Sequence, residues 1–557
     1  VSGRRGGGLE RRTLRAAYSV LVVVRTFTTV DRLRTILETL FPDAFEVKFT
    51  VERGSVFADR LVEYLRELEF EVLDMRRARR MKFDVILAAH ATAALGKLNG
   101  PVIVCPHGAG YNRRVRKSSG CDRVATGLVE SQLTTRFGRV IPEVVFVSHE
   151  EQRERLRKSS PKAAERAIVL GDPVLDRIFA SEARRERYRR QFGVGADQKL
   201  VVVTSTWGPY GTVGCEASLP KRLLAQLPAD EYKVLLIMHP NIWSGHSPAL
   251  IKLYLREELD SGLVIVPPRS PWEAGLIAAD LVIGDHSSLS IYAAALGRRF
   301  LLAADGSPEL VPGSPLERLC AEAPRLDPAG DLLEQIEGHL WSVPRRSGTE
   351  IADLMFQERG RSWHIFRSVV RKVVGLPELA VPPRVTPVDD PRPATGREVT
   401  AWTVSTTSSP AGTTGSATVG IRRYPRLAGD GSDEGEDDLQ VSDYGEADER
   451  CRLNSEIIVR SEMLSRAAGE QWLVEMLPSS PKYGHNAGLL AYRHSGGCVL
   501  AWRDGPRIEA GTQDAFAAAV VLHRMRQDGW PLDKPGTAEY HFGAAEPASF
   551  PFGPAPA

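Results

Sequence analysis

Short, continuously apolar runs recur along the first two thirds of the chain, and amphipathic stretches separate them. Between Ser19 and Gly171 the runs are "SVLVVV", "FEVKFTV", "FDVILAAH", "PVIVCPHG", "EVVFVSH" and "AIVLGD". Helical stretches such as "SVFADRLVEYLREL" lie between them. A strand that is apolar at every position has both faces covered, which requires a parallel sheet with helices on either side. After a charged connecting helix, Ser181 to Phe192, the pattern restarts with "KLVVVTSTW", "YKVLLIMHP", "GLVIVPP", "DLVIGD" and "RFLLAA". The expectation is an α/β chain with two doubly wound Rossmann-like domains facing a cleft, over residues 1–180 and 181–376. Ligands of such sheets bind at the carboxyl ends of the strands.

Past Leu376 the character changes. "PELAVPPRVTPVDDPRPATG", "TVSTTSSPAGTTGSATVG" and the acidic "GDGSDEGEDD" predict a disordered linker over 377–450. A small α+β module is expected over 451–557, with strands "QWLVEML", "GLLAYRH" and "CVLAWRD" and a helix "TQDAFAAAVVLHRMRQDG". It shows no catalytic constellation.

At 557 residues the chain can bury several cores, and its net charge of +2 gives no field for nucleic acid. The six cysteines, Cys105, Cys121, Cys215, Cys320, Cys451 and Cys498, include no CxxC pair, which excludes a disulfide framework or zinc site and fits a reducing compartment. No segment has the roughly 20 apolar residues of a membrane helix, and "AAYSVLVVV" reads as a first strand rather than a signal peptide. The expectation is a soluble cytoplasmic protein, with room for peripheral contact at the inner face of the cell membrane.

Polar residues collect where strands end. In "CPHGAGYN", His107 follows a strand and Gly108 and Gly110 permit a sharp turn; an imidazole there can take a proton from a hydroxyl, or simply bond the backbone. "IMHPNIW" repeats the arrangement with His239, which can donate to a phosphate oxygen or sit at the core edge. "GDHSSLSIYAAALG" opens a helix in which Asp285 or Ser287 can serve as cap. Its free first-turn amides, with the hydroxyls of Ser287 and Ser288, form an anion site that needs no metal. "TSTWG" places Thr206 and Trp207 at a fourth strand end, and "GDPVLDRI" ends the first half with Asp172 and Asp176.

The order of these pieces resembles the CDP-glycerol glycerophosphotransferase family, which builds teichoic-acid-type polymers on a GT-B fold. Its "HGTPLK" matches His107-Gly108, its "GYPRxD" matches Gly171, Pro173 and Asp176, and its "PTWR" matches Thr206-Trp207. Its "RxHP" matches His239-Pro240, and its "D(Y)SS…ALLGKP" matches "DHSSLSIYAAALGRR". The resemblance spans Ser19 to Leu376 and includes a closing helix in "MFQERGRSWHIFRSVVRKVVGLP". It departs where the family lysine and arginine are replaced, by Ala109-Gly110-Tyr111-Asn112 and by Gly208, and where Met238 precedes the "HP" histidine; Arg113, Arg114 and Arg269 are the candidate substitutes.

The resemblance implies a transferase moving glycerol phosphate or a similar polyol phosphate from a CDP-linked donor to an acceptor hydroxyl in cell-envelope polymer synthesis. His107 and His239 would be catalytic, and Gly108, Thr206, Trp207, Asp285, Ser287 and Ser288 would bind nucleotide or phosphate, without cofactor or metal. The partners would be a nucleotide-diphosphate-linked donor and a polymer or lipid-linked acceptor. A GT-B glycosyltransferase or epimerase acting on a nucleotide sugar, and a catalytically silent GT-B scaffold recruiting a partner through its C-terminal module, are the alternatives.

Overall fold

A computed structural model describes residues 16–40, 45–52, 58–115, 124–341, 347–409, 418–428, 438–478 and 487–555. The first half builds a seven-stranded sheet from β1 (Tyr18–Val24), β2 (Phe45–Val51), β3 (Val72–Leu73), β4 (Val85–Ala88), β5 (Val102–Val104), β6 (Val144–Val147) and β7 (Ala167–Val169). Its order is β3-β2-β1-β4-β5-β6-β7, with every pairing parallel. Val20 to Val24 are all fully buried, as the unbroken apolar run requires of a central strand covered on both faces. The expected runs are all present; β3 is an additional two-residue edge strand.

The second half repeats the plan with β8 (Lys199–Ser205), β9 (Tyr232–Met238), β10 (Val264–Val266), β11 (Leu281–Gly284) and β12 (Arg299–Leu302), ordered β10-β9-β8-β11-β12 and again parallel. Each sheet therefore has a switch point, between β1 and β4 and between β8 and β11, where successive connections leave in opposite directions and open a crevice. The closing helix, Ser362–Val373, returns to the first half, where Phe366 and Val370 enter the core of β1 and the Phe366 ring lies 5.9 Å from that of Phe146. Burying each such side chain contributes about 1.5–3 kcal/mol. Asp176 starts that helix from a distance, accepting hydrogen bonds from the amides of Gly360 (2.6 Å) and Ser362 (3.0 Å).

The segment expected to be a disordered linker takes a different form. Residues 377–400 form an extended strap that starts on the closing helix, where Arg371 and Arg367 bond the carbonyls of Pro377 and Val381. It then passes onto the second half: Val388 is fully buried, its carbonyl accepts from the Tyr188 hydroxyl at 2.6 Å, and Ala394 exchanges two backbone bonds with Ile265. Proline-rich composition suits this, since a chain with φ already restricted loses less entropy when it is laid down. Strands β13 (Ala401–Ser409), β14 (Thr418–Pro425) and β15 (Leu439–Asp443) follow, so the C-terminal module begins at Ala401 rather than at 451. The acidic run at 429–437 lies outside the described residues.

With β16 (Ile457–Leu464), β17 (Leu489–His494), β18 (Gly497–Trp502), β19 (Arg507–Ala510), β20 (Gly536–Phe542) and β21 (Ala548–Pro554), those strands close a barrel ordered β13-β14-β20-β21-β19-β18-β17-β16-β15. Val404, Ile457, Leu489, Leu500 and Ile508 pack with Ala518, Val521, Leu522 and Met525 of the helix Ala515–Gln527. "QWLVEML", expected as a strand, belongs to the helix Arg466–Met476. Trp472, Leu473 and Met476 repeat at helical spacing on its buried face, and Ser465 caps it through the Ala468 amide. Arg423 docks the barrel on the second half, holding Asp230 with two hydrogen bonds and stacking over Trp402, Phe516 and Phe542. No described helix is long and apolar enough to cross a membrane.

Candidate functional site

The polar turn after β11 joins the second sheet to the helix Ser288–Ala295. Asp285, expected among the ligand contacts, points inward instead and is fully buried. One carboxylate oxygen accepts from the amides of Thr206 (2.7 Å) and Thr212 (3.0 Å), and the other from that of Ser287 (3.0 Å). It therefore ties the loop after β8 to the helix start; burial pushes its carboxyl above the ordinary value, against the pull of these bonds. The Thr206 amide is used up in that bond, so Thr206 likewise acts as scaffold through its backbone.

Ser287 occupies the N-cap position without capping, and its hydroxyl is buried with no hydrogen-bond partner among the described residues. A buried hydroxyl without a partner is costly; here it stands beside the free amides of a helix start, where an anion supplies acceptors. The Ser288 hydroxyl accepts from the Ala109 amide of the first half at 3.2 Å. Gly108 suits this seam, because a Cβ there would stand 2.8 Å from the Ser288 hydroxyl and displace it. The loop carrying His107 thus lies against the helix start of the opposite half.

Arg113 extends this junction. Its guanidinium bonds Glu309 at 2.5 Å and stacks 5.3 Å from the centre of the Trp207 ring. Glu309 in turn meets the Nε2 of the buried His286 at 3.1 Å. Burial raises the Glu309 carboxyl, but the bonds to Arg113 and His286 outweigh it and hold it at about 2. Of the candidate replacements for the family cations, Arg113 is in place. Arg114 bonds the Pro308 carbonyl, and Arg269 pairs with Glu67 elsewhere on the interface between the halves. Sequence reasoning missed the roles of His286 and Glu309: the first was visible within the polar turn, whereas the second had no local signal.

His107 opens onto the cleft and makes no hydrogen bond to a described residue, while His239 is half-buried. The Nδ1 of His239 accepts from the Asn241 amide at 3.1 Å, which places the neutral ring's proton on Nε2 and makes that atom a donor. Enclosure by protein, then Arg32 and Arg113, lowers His107 to about 4; enclosure, then Arg113 and His107, lowers His239 to about 3. His107 is still wetted from the cleft, which screens its share of the effect. The two rings and Arg113 are thus near enough to act on one another, and both rings are neutral at pH 7.

Both shifts are downward, so between the ordinary value near 6.5 and the folded values the unfolded chain binds the more protons. Stability contributed by these rings is accordingly present above about pH 6.5 and falls as the pH drops toward 4. Urea midpoints of the His239→Gln variant and the parent, compared from pH 7 to pH 4, check this: the parent should lose more stability on acidification than the variant does.

The site brings together His107, Gly108, Trp207, His239, Ser287 and Ser288, with Thr206 and Asp285 beneath them as supports. A cavity of about 410 Å³ lies elsewhere in the second half, lined among others by Arg299, Phe300, Arg325 and His339, and includes none of these residues. No family model matches the chain, and no curated protein matches it. Among solved structures, the wall teichoic acid polymerase TagF aligns at 13% identity and a TM-score of 0.42, over 64% of this chain and 89% of its own. The UDP-GlcNAc 2-epimerase from Neisseria meningitidis bound to UDP-GlcNAc aligns at 13% identity and 0.40, over 64% and 100%. The S. aureus MnaA–UDP structure aligns at 12% identity and 0.43, over 66% and 100%. At these identities and scores the neighbours decide neither the family nor the activity of this chain.

Proposed function

We propose that this chain is a transferase that moves a polyol phosphate, of the glycerol phosphate class, from a CDP-linked donor to an acceptor hydroxyl in envelope polymer synthesis. The observation that carries the reading is the partnerless Ser287 hydroxyl at a helix start, faced by the His107 loop, with Arg113 and His239 near enough to His107 to act on its ring. The donor diphosphate rests on the amides of the Ser288–Ala295 helix and on the Ser287 hydroxyl, with Arg113 supplying positive charge and His239 Nε2–H donating to a phosphoryl oxygen. Neutral His107 takes the proton of the acceptor hydroxyl. The acceptor oxygen bonds to the distal phosphorus, the bridging P–O bond breaks, and the nucleoside monophosphate leaves with that bond's electrons. The proton on His107 then passes to solvent. Fixed dipoles aimed at the phosphate stabilise the charge that develops in transfer.

Calorimetric and thermal-shift titration of the full chain with CDP-glycerol, CDP-ribitol and UDP-sugars tests the reading. A CDP-polyol at 100 times its Kd should stabilise the fold by about 2.7 kcal/mol through mass action. A response to UDP-sugars alone would replace polyol phosphate transfer with sugar transfer at the same seat. No response to any nucleotide would leave a scaffold.

A further inference from the structure

The crevice between β1 and β4, the switch point of the first sheet, takes no part in the steps above, yet its lining is built. Glu52 follows β2 and His90 follows β4, with side chains 10% and 12% exposed. The Nε2 of His90 lies 2.6 Å from one Glu52 oxygen, and the Thr92 hydroxyl approaches the two carboxylate oxygens at 2.9 and 3.0 Å. Burial pushes the Glu52 carboxyl up, but bonding to His90 and Thr92 prevails and holds it below its ordinary value. An ionised carboxylate only accepts hydrogen bonds, so the ring nitrogen facing it carries the proton and Nδ1 of the neutral ring is left with a lone pair. That Nδ1 is buried and has no hydrogen-bond partner among the described residues.

This arrangement, a histidine oriented by a carboxylate with its second nitrogen unsatisfied, is the geometry of an imidazole awaiting an O–H. His90 is near enough to His107 to be among the groups that act on that ring. Resting on the transferase reading, we propose that His90 and Glu52 seat a hydroxyl of the acceptor other than the one that reacts. His90 Nδ1 accepts that O–H, and Glu52 holds the ring in the tautomer that can. The acceptor is thereby required to carry at least two hydroxyls, as a polyol or sugar does. An acceptor lacking the second leaves a buried lone pair unpaired, and sites built for a hydroxyl discriminate strongly against its absence.

The test uses the full chain with CDP-glycerol as donor and glycerol or 1-propanol as acceptor, in the parent and in His90→Gln and Glu52→Gln. The KM for glycerol should rise roughly 10- to 100-fold in both variants, with calorimetric affinity for CDP-glycerol unchanged. Turnover with 1-propanol should be poor throughout and insensitive to the substitutions. An unchanged KM for glycerol, or an equal loss with 1-propanol, overturns the assignment. If CDP-glycerol fails to bind the parent, the transferase reading falls separately, and imidazole ¹⁵N spectra of the parent with added glycerol decide the seat. A displaced, unprotonated His90 Nδ1 resonance supports it; a protonated or unmoved one overturns it.

Discussion

Replacement of His107 by alanine is expected to lower kcat by roughly 10²- to 10⁴-fold, the usual contribution of a positioned general base. Affinity for the donor should change little, because the seat proposed for its diphosphate comes from the opposite half, from Ser287, the helix amides and His239, with Arg113 beside it. Single-turnover rates and calorimetric Kd values on the same preparations separate the two effects. Equal losses in rate and affinity would place His107 on the donor instead. Because the free ring is held near 4, base activity should persist on the acid side to well below pH 6.5 and fail only as the ring protonates. A bound phosphate, by adding negative charge, should move that limb upward relative to the free enzyme.

Asp285→Ala should be among the most destabilising single changes in the second half. It leaves the amides of Thr206, Thr212 and Ser287 without their acceptor in a fully buried setting. Each such orphaned group costs about 1–3 kcal/mol, and relaxation keeps the sum below simple addition. A total loss of about 3–5 kcal/mol is expected, in the range found when a buried charged network is broken. A lower melting temperature and faster proteolysis within the 206–212 loop are the measurements. Asp285→Asn should fall between the two, since its amide nitrogen must face an N–H that the carboxylate oxygen once accepted. A residue that merely touched ligand would behave in the opposite way, with stability kept and donor affinity lost.

The two parallel sheets were legible because most of their strands are nearly unbroken apolar runs, and the candidate site was sought at their carboxyl ends, where polar residues face one cleft. The direction of a side chain was less legible. Asp285 looks like a ligand contact from its neighbours, but besides the nearby Ser287 amide its partners are amides 73 and 79 positions away in the chain. Arg113 could be named only as one of several cations; its selection depends on Glu309 and Trp207, which come from the other half. His90 and Glu52 passed unnoticed, because their meeting requires β2 and β4 to flank β1 in the folded sheet.

The barrel was the least legible part. "TVSTTSS" resembles a linker by composition, yet Val404 is the fully buried inward residue of a strand whose other positions tolerate hydroxyls. A barrel that encloses a helix needs few large residues per strand, so the apolar signal is diluted below what composition can register. The same holds for the strap, where buried Val388 and Pro391 anchor a proline-rich run.

The docking of Arg423 on Asp230, together with the strap across the second sheet, also has a mechanical meaning. The barrel is moored to the second half by two kinds of joint, a charged side chain and a length of backbone. A pull on the barrel is therefore carried into the second sheet through an ion pair and a two-bond backbone bridge rather than through one slack tether.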